Sequence, residues 1–150
     1  MKALIQRVHF AHVEVDGKII GQIQNGVLAY IGIGKDDDFG RACKLIDKIL
    51  AYRIFENTTE VEKLGKLDKS VSDFGGGLLL VSQFTLMAKT DKGRRPDFAP
   101  AMPPDDAKRL FDQLVVYAKS VYPSVQTGEF GADMMVSCAN DGPINFILEV

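Results

Sequence analysis

Apolar and polar positions along the chain fall into three patterns. Residues 3–8 and 12–15 mix β-branched side chains with partial alternation, which predicts two strands with one wet face. Asp16-Gly17 predicts a tight hairpin into Lys18-Ile19-Ile20. After a second turn signal, Asn25-Gly26, the run Val27-Leu28-Ala29-Tyr30-Ile31-Gly32-Ile33 is too continuous for a half-wet strand. It is also far short of the ~20 residues that cross a bilayer, so a strand covered on both faces fits. Residues 78–86 predict the most apolar strand of the protein.

Helical spacing appears twice. Ala42, Leu45, Ile46, Ile49 and Leu50 predict a helix over 37–52, with Asp36, Asp37 and Asp38 supplying caps and favourable dipole charge. Leu110, Phe111, Leu114, Val115, Ala118 and Val121 predict a second. Pro104-Asp105-Asp106 opens it and Pro123 stops it. Residues 53–55 read as a short strand, 57–77 as a loop or weak hairpin, and 88–103 as a proline-bearing loop. Strand-like segments at 125–130, 134–139 and 144–150 close the chain. The expected architecture is α/β and sheet-dominated, with about eight strands and two main helices in one domain over 1–150, the sheet partly closed like a β-barrel.

Composition narrows this picture only a little. At 46% hydrophobic and 25% charged residues, the chain excludes the disordered and collagen-like classes. The charged start, Met1-Lys2-Ala3-Leu4-Ile5-Gln6-Arg7, does not read as a signal peptide, so a cytoplasmic protein is expected. Cys43 and Cys138 lie far apart in apolar segments and read as buried free thiols. A net charge of −2 makes the whole molecule a poor attractor of nucleic acid. One local exception is the stretch bearing Lys89, Lys92, Arg94 and Arg95, which is either a solvated loop or a phosphate-contacting patch.

General catalytic signatures are missing. His9 and His12 read as structural, and two Cys with two His at these spacings make no metal site. Gly32-x-Gly34 lacks the third glycine of a dinucleotide loop, and no phosphate loop or nucleophile elbow occurs, so no cofactor is expected. Two segments break local rules. Ser82-Gln83-Phe84-Thr85 sets polar side chains at the end of an apolar strand, which either reaches the surface or walls a cleft. Asn140-Asp141-Gly142-Pro143 between two strands is either a plain turn or a site for a cis Gly-Pro bond.

At these residues the chain resembles the D-aminoacyl-tRNA deacylase family, formerly named for D-tyrosyl-tRNA. The resemblance runs through Ile5-Gln6-Arg7-Val8, Ala51-Tyr52-Arg53-Ile54-Phe55 and Ser82-Gln83-Phe84-Thr85-Leu86. It continues in Lys92-Gly93-Arg94-Arg95-Pro96-x-Phe98, Thr127-Gly128-x-Phe130-Gly131-Ala132-Asp133-Met134 and Asn140-Asp141-Gly142-Pro143. It implies a homodimer with active sites at the subunit interface, hydrolysing D-amino acids, and glycine, from the acceptor end of tRNA. In that family the Gly-Pro bond is cis and enters the partner's site, where paired carbonyl oxygens receive the substrate amine and leave no room for an L side chain. Gly142 and Pro143 would serve the neighbouring chain, with Arg7 supporting the loop from the facing chain. Backbone N–H groups near Phe84 and Thr85 would hold the oxyanion. Thr85 would assist an attacking water, Gln83 and Ser82 would shape the wall, and Met134 would line it. Lys89, Lys92, Arg94 and Arg95 would neutralise tRNA phosphates.

Two departures from the family pattern stand out: Asn145 where Thr is common, and Leu67-Asp68-Lys69-Ser70-Val71, expected in a loop. A non-catalytic nucleic-acid-binding module on the same fold is the rival reading. A generic small-molecule esterase is the third.

Overall fold

The structure, a computed structural model, describes residues 1–58 and 60–150. Along the chain run β1 (Lys2–Val15), β2 (Lys18–Ile23), β3 (Gly26–Gly32), α1 (Phe39–Ala51), β4 (Phe55–Glu56) and β5 (Leu67–Lys69). They are followed by α2 (Val71–Phe74), β6 (Gly77–Ser82), α3 (Pro104–Val121), β7 (Val125–Thr127) and β8 (Met135–Glu149). Short 3-10 turns cover Val61–Lys63 and Phe84–Met87.

The main sheet has the order β2-β1-β3-β6-β7, and β8 lies on the other edge of β1. The first half of β1 pairs with β3 and its second half with β2, while β8 runs antiparallel to nearly its whole length. At Gly21 of β2 a Cβ would stand 2.4 Å from the Thr127 carbonyl oxygen at the end of β7, so the sheet curls into a nearly closed barrel. One face of the sheet, with Ala3, Ile5, Val27, Ala29, Ile31, Leu78 and Leu80, packs on α1 and α3. The other face, with Val8, Val13, Ile23, Leu28, Leu79 and Val81, forms the barrel interior. β3 and β6 are covered on both sides, which is why both read as unbroken apolar runs.

Local signals set the helices. The Asp38 carboxylate accepts from the Arg41 N–H at 2.8 Å and starts α1 at Phe39. Pro104 opens α3 where a missing N–H costs nothing. Non-local pairing changes the strands. Residues 3–8 and 12–15 are not two strands but parts of β1, whose ladder shifts register between Val8 and Phe10. That bulge turns odd-numbered residues from the helix side, Ala3 and Ile5, to the barrel interior, Ala11 and Val13. The expected 57–77 loop contains β5 and α2, so Asp68, within the second departing segment, sits on a strand and holds Arg53 at 2.9 Å and Lys63 at 3.1 Å. Thr59, within that stretch, lies outside the described residues. Both cysteines are free but only partly buried.

Candidate active site: a cleft and a braced loop

β6 ends at Ser82, earlier than the apolar run predicts, because a side chain stops it. The Gln83 N–H still donates to the Ile31 carbonyl at 2.8 Å, but its side-chain oxygen then accepts from Thr85 Oγ1 at 2.7 Å and from the Thr85 N–H at 3.4 Å. Capped in this way, Phe84–Met87 closes as a 3-10 turn. The turn lies tightly on β3: a Cβ at Gly32 would meet Leu86 Cβ at 2.9 Å. Of the two N–H groups that head the turn, the cap takes that of Thr85, and that of Phe84 has no partner within the turn.

Beside this turn opens a cleft of about 750 Å³, inside the usual range for small-molecule sites. Ser82, Gln83 and Phe84 form one wall; Phe98, Met102 and Pro103 form a second. The inner end reaches the barrel interior at Tyr30, Val81, Met134 and Val136. Thr85 is exposed one step further round the turn. At the mouth, Phe84 (58% exposed) and Phe98 (39% exposed) face each other with ring centroids 5.0 Å apart. The loop carrying Phe98 is pinned by Lys89 N–H to the Asp97 carbonyl at 2.8 Å and Met102 N–H to the Ile33 carbonyl at 3.0 Å. Its tip presents Lys89, Lys92, Arg94 and Arg95, all exposed. None of these four forms an ion pair among the described residues, whereas Arg7, Arg41, Arg53, Lys63, Lys108 and Arg109 all do.

The remaining expected site residues form a separate group, away from the cleft lining. Between Gln6↔Asn145 and Val8↔Asn140, β1 advances two residues and β8 advances five. Residues 141–144 therefore bulge from an otherwise continuous strand and do not turn between two strands. Gly142 and Pro143 are exposed, the bond between them is cis, and Gly142 has φ +113°. A Cβ there would meet Ile144 Cγ1 at 2.8 Å, so only glycine fits. Beneath the bulge lies Arg7, 7% exposed. Its Nη1 donates to the Ile54 carbonyl at 2.9 Å. Its Nε stands 2.7 Å from Asp141 Oδ2, a contact of charge without hydrogen-bond alignment. Asn140 Nδ2 donates to the Arg7 carbonyl at 2.8 Å. Arg7 thus braces the bulge of its own chain. The Ile54 carbonyl accepts from Arg7, and β4 begins one residue later, at Phe55 opposite Lys69, and not at Arg53. At Asn145, Oδ1 accepts from Gln6 Nε2 at 3.1 Å and keeps the strand tied just past the bulge.

Residues 4–149 match the family described as D-Tyr-tRNA(Tyr) deacylase. The chain belongs to the D-Tyr-tRNA(Tyr) deacylase family. It is 63% identical over 150 residues to the D-aminoacyl-tRNA deacylase of Psychrobacter cryohalolentis, covering 100% of this chain and 99% of that protein. It is 58% identical, at the same coverage, to the D-aminoacyl-tRNA deacylase of an Acinetobacter baumannii strain. A solved structure titled c-Myc DNA Unwinding Element Binding Protein superposes with a TM-score of 0.93 at 36% identity, covering 100% and 99% of the two chains. A second, a probable eukaryotic D-amino acid tRNA deacylase, gives 0.84 at 16% identity over 99% and 98%, and speaks for the fold.

Within this deacylase-family chain, sequence reasoning missed several contributors. Ile54 acts through its carbonyl, which no side-chain pattern reveals. Asp141 read as a turn former, although an acid beside Gly-Pro and an arginine far away in sequence was a possible pair. Tyr30 was absorbed into the apolar run, and its hydroxyl was the one irregularity there. Of the histidines, His9 stands beside the bulge, in contact with Asp141 and Asn25, and His12 contacts Glu14.

Proposed function

We propose that the protein removes D-amino acids, and glycine, from the 3′ end of tRNA as a homodimer in the cytoplasm, each active site built from two subunits. The coarser statement rests on the family match and the named relatives: the chain is an aminoacyl-tRNA ester hydrolase of the D-aminoacyl-tRNA deacylase kind. One observation carries the finer one. The cleft of a chain is open at Phe84 and Phe98, and the exposed Gly142-Pro143 bulge of the same chain is not among its walls. A second copy related by a two-fold axis brings bulge to cleft twice over. β8, an edge strand with Phe146 and Ile147 exposed just past the bulge and Met135 exposed at its start, is the surface such a copy covers. Among the described residues, no helix is long and apolar enough to cross a membrane.

The chemistry follows from what each group can still do. Water attacks the ester carbonyl, whose oxygen takes on negative charge and is received by the Phe84 N–H. Thr85 gives its only hydroxyl proton to Gln83, so its oxygen accepts from the attacking water and orients it. An amide oxygen is too weak a base to deprotonate Thr85, which argues against threonine as nucleophile. Collapse breaks the bond to the ribose 3′-oxygen; the adjacent 2′-OH gives that oxygen its proton and takes up the proton lost by the attacking water, so both ribose hydroxyls are restored. The bulge of the partner, occupying the place of an L side chain, admits D-amino acids and glycine alike. The four unpaired cations meet phosphates of the acceptor end.

The test is ester loss from D-tyrosyl-, L-tyrosyl- and glycyl-tRNA. Release from the first and third only is expected. One structural relative is named for binding a DNA element, which keeps a second reading in view: a nucleic-acid-binding module without turnover. Equal binding of all three tRNAs with no release would favour it, and hydrolysis of simple esters without tRNA would favour a generic esterase.

A further inference from the structure

Tyr30 is the cleft residue for which the proposed chemistry has no use. It sits on β3 beside Val81 of β6, and its ring lies on the barrel-interior face while Ala29 and Ile31 face the helices. The inner end of the cleft is otherwise Val81, Met134 and Val136, all without strong hydrogen-bonding groups. Tyr117 and Tyr122 commit their hydroxyls to Asp47 and to the Val71 carbonyl. The Tyr30 hydroxyl has no hydrogen-bond partner among the described residues and is not among the sealed polar atoms, and the residue lines the cleft. Burial, and secondarily Cys138 nearby, push its pKa above the ordinary tyrosine value, so the group stays an O–H donor at any physiological pH.

Resting on the proposed deacylase reading, the geometry assigns a part of the substrate to this end. The ester must lie at the Phe84–Met87 turn, and the phosphates must lead toward the basic loop. The flat terminal adenosine is left for the inner cleft, where aliphatic walls suit its faces and repel charge. We infer that Tyr30 is a positioning residue for this nucleoside, its hydroxyl donating a hydrogen bond to a ring nitrogen of the base. A half-buried donor with no protein partner is a place where a ligand acceptor gains most, since an acceptor-free occupant leaves the donor unpaired.

The experiment uses the intact protein and Tyr30→Phe, which keeps the ring and deletes only the hydroxyl. KM and kcat are measured with D-tyrosyl-tRNA, and AMP is titrated both as a competitive inhibitor and directly by calorimetry. One hydrogen bond predicts KM and the AMP dissociation constant raised roughly three- to tenfold, with kcat unchanged within about twofold. AMP analogues with a CH at ring position 1, 3 or 7 give the decisive readout. One of them should lose the same factor on wild type and lose nothing further on Tyr30→Phe. Unchanged KM and AMP affinity in the variant would overturn the inference, as would equal losses for AMP and all three analogues. If neither protein releases D-tyrosine, the deacylase reading fails, and the calorimetric comparison still decides the role of Tyr30.

Discussion

The cleft and the 141–144 bulge both interrupt a regular sheet, yet they are built in opposite ways. The cleft is concave and mostly apolar, and at its edge the side chains of Gln83 and Thr85 are tied to each other. The bulge is convex, and it is held by a buried arginine with charge, carbonyl and amide contacts on three sides. A hollow wants an occupant, and a braced projection holds its shape in order to present something. The difference teaches that bracing was placed on the part that protrudes, where nothing of its own chain would otherwise fix it.

The largest effect expected from breaking this contrast comes from Arg7→Ala. It leaves Asp141, only partly exposed, without its cation and the Ile54 carbonyl without its donor. Urea unfolding should register a loss of about 2–3 kcal/mol; a loss within error would mean the bulge is held by something else. Thr85→Ala comes next, acting on the concave side alone. It should cut kcat by up to about a hundredfold with unfolding midpoint and dimer intact, and an unaltered rate would remove Thr85 from the site. Gly142→Ala forces a side chain into φ +113° and against Ile144, at a cost of about 1–3 kcal/mol confined to the bulge. It should let L-tyrosyl-tRNA be hydrolysed, and strict D-selectivity in this variant would contradict the bulge as the chiral wall. The smallest effects belong to Lys92→Ala and Arg94→Ala. Each should weaken tRNA binding a few-fold and reduce the salt slope of affinity by about one, and a slope unaffected by either would make the loop merely solvated.

How far the sequence spoke differs between the same two regions. Where structure follows from neighbours in the chain it was legible: Asp38 capping α1, Pro104 opening α3, and Asp16-Gly17 turning β1 into β2, with positive φ at both residues. The polar break at Ser82-Gln83-Phe84-Thr85 was legible as an irregularity, though its form as a turn capped by Gln83 was not. The bulge was read as a turn because Asn, Asp, Gly and Pro favour turns locally. Its continuity with β8 is decided by pairing with β1 more than a hundred residues away, which no local propensity encodes. For the same reason the phase slip at Val8 looked like a strand end and is a bulge. The resemblance to a family supplied what residue chemistry alone did not, namely the proposal that the two irregular segments serve one reaction.

The most direct test of that union mixes two inactive proteins. One carries Thr85→Ala with Gln83→Ala in its cleft; the other carries Pro143→Trp on its exposed bulge, an indole that blocks the cleft the bulge enters. If each site takes its cleft from one chain and its bulge from the other, subunit exchange at equal amounts should restore roughly a quarter of wild-type sites, one sound site in each mixed dimer. No recovery of D-tyrosyl-tRNA hydrolysis, with mixed dimers demonstrably present, would contradict a site shared between subunits.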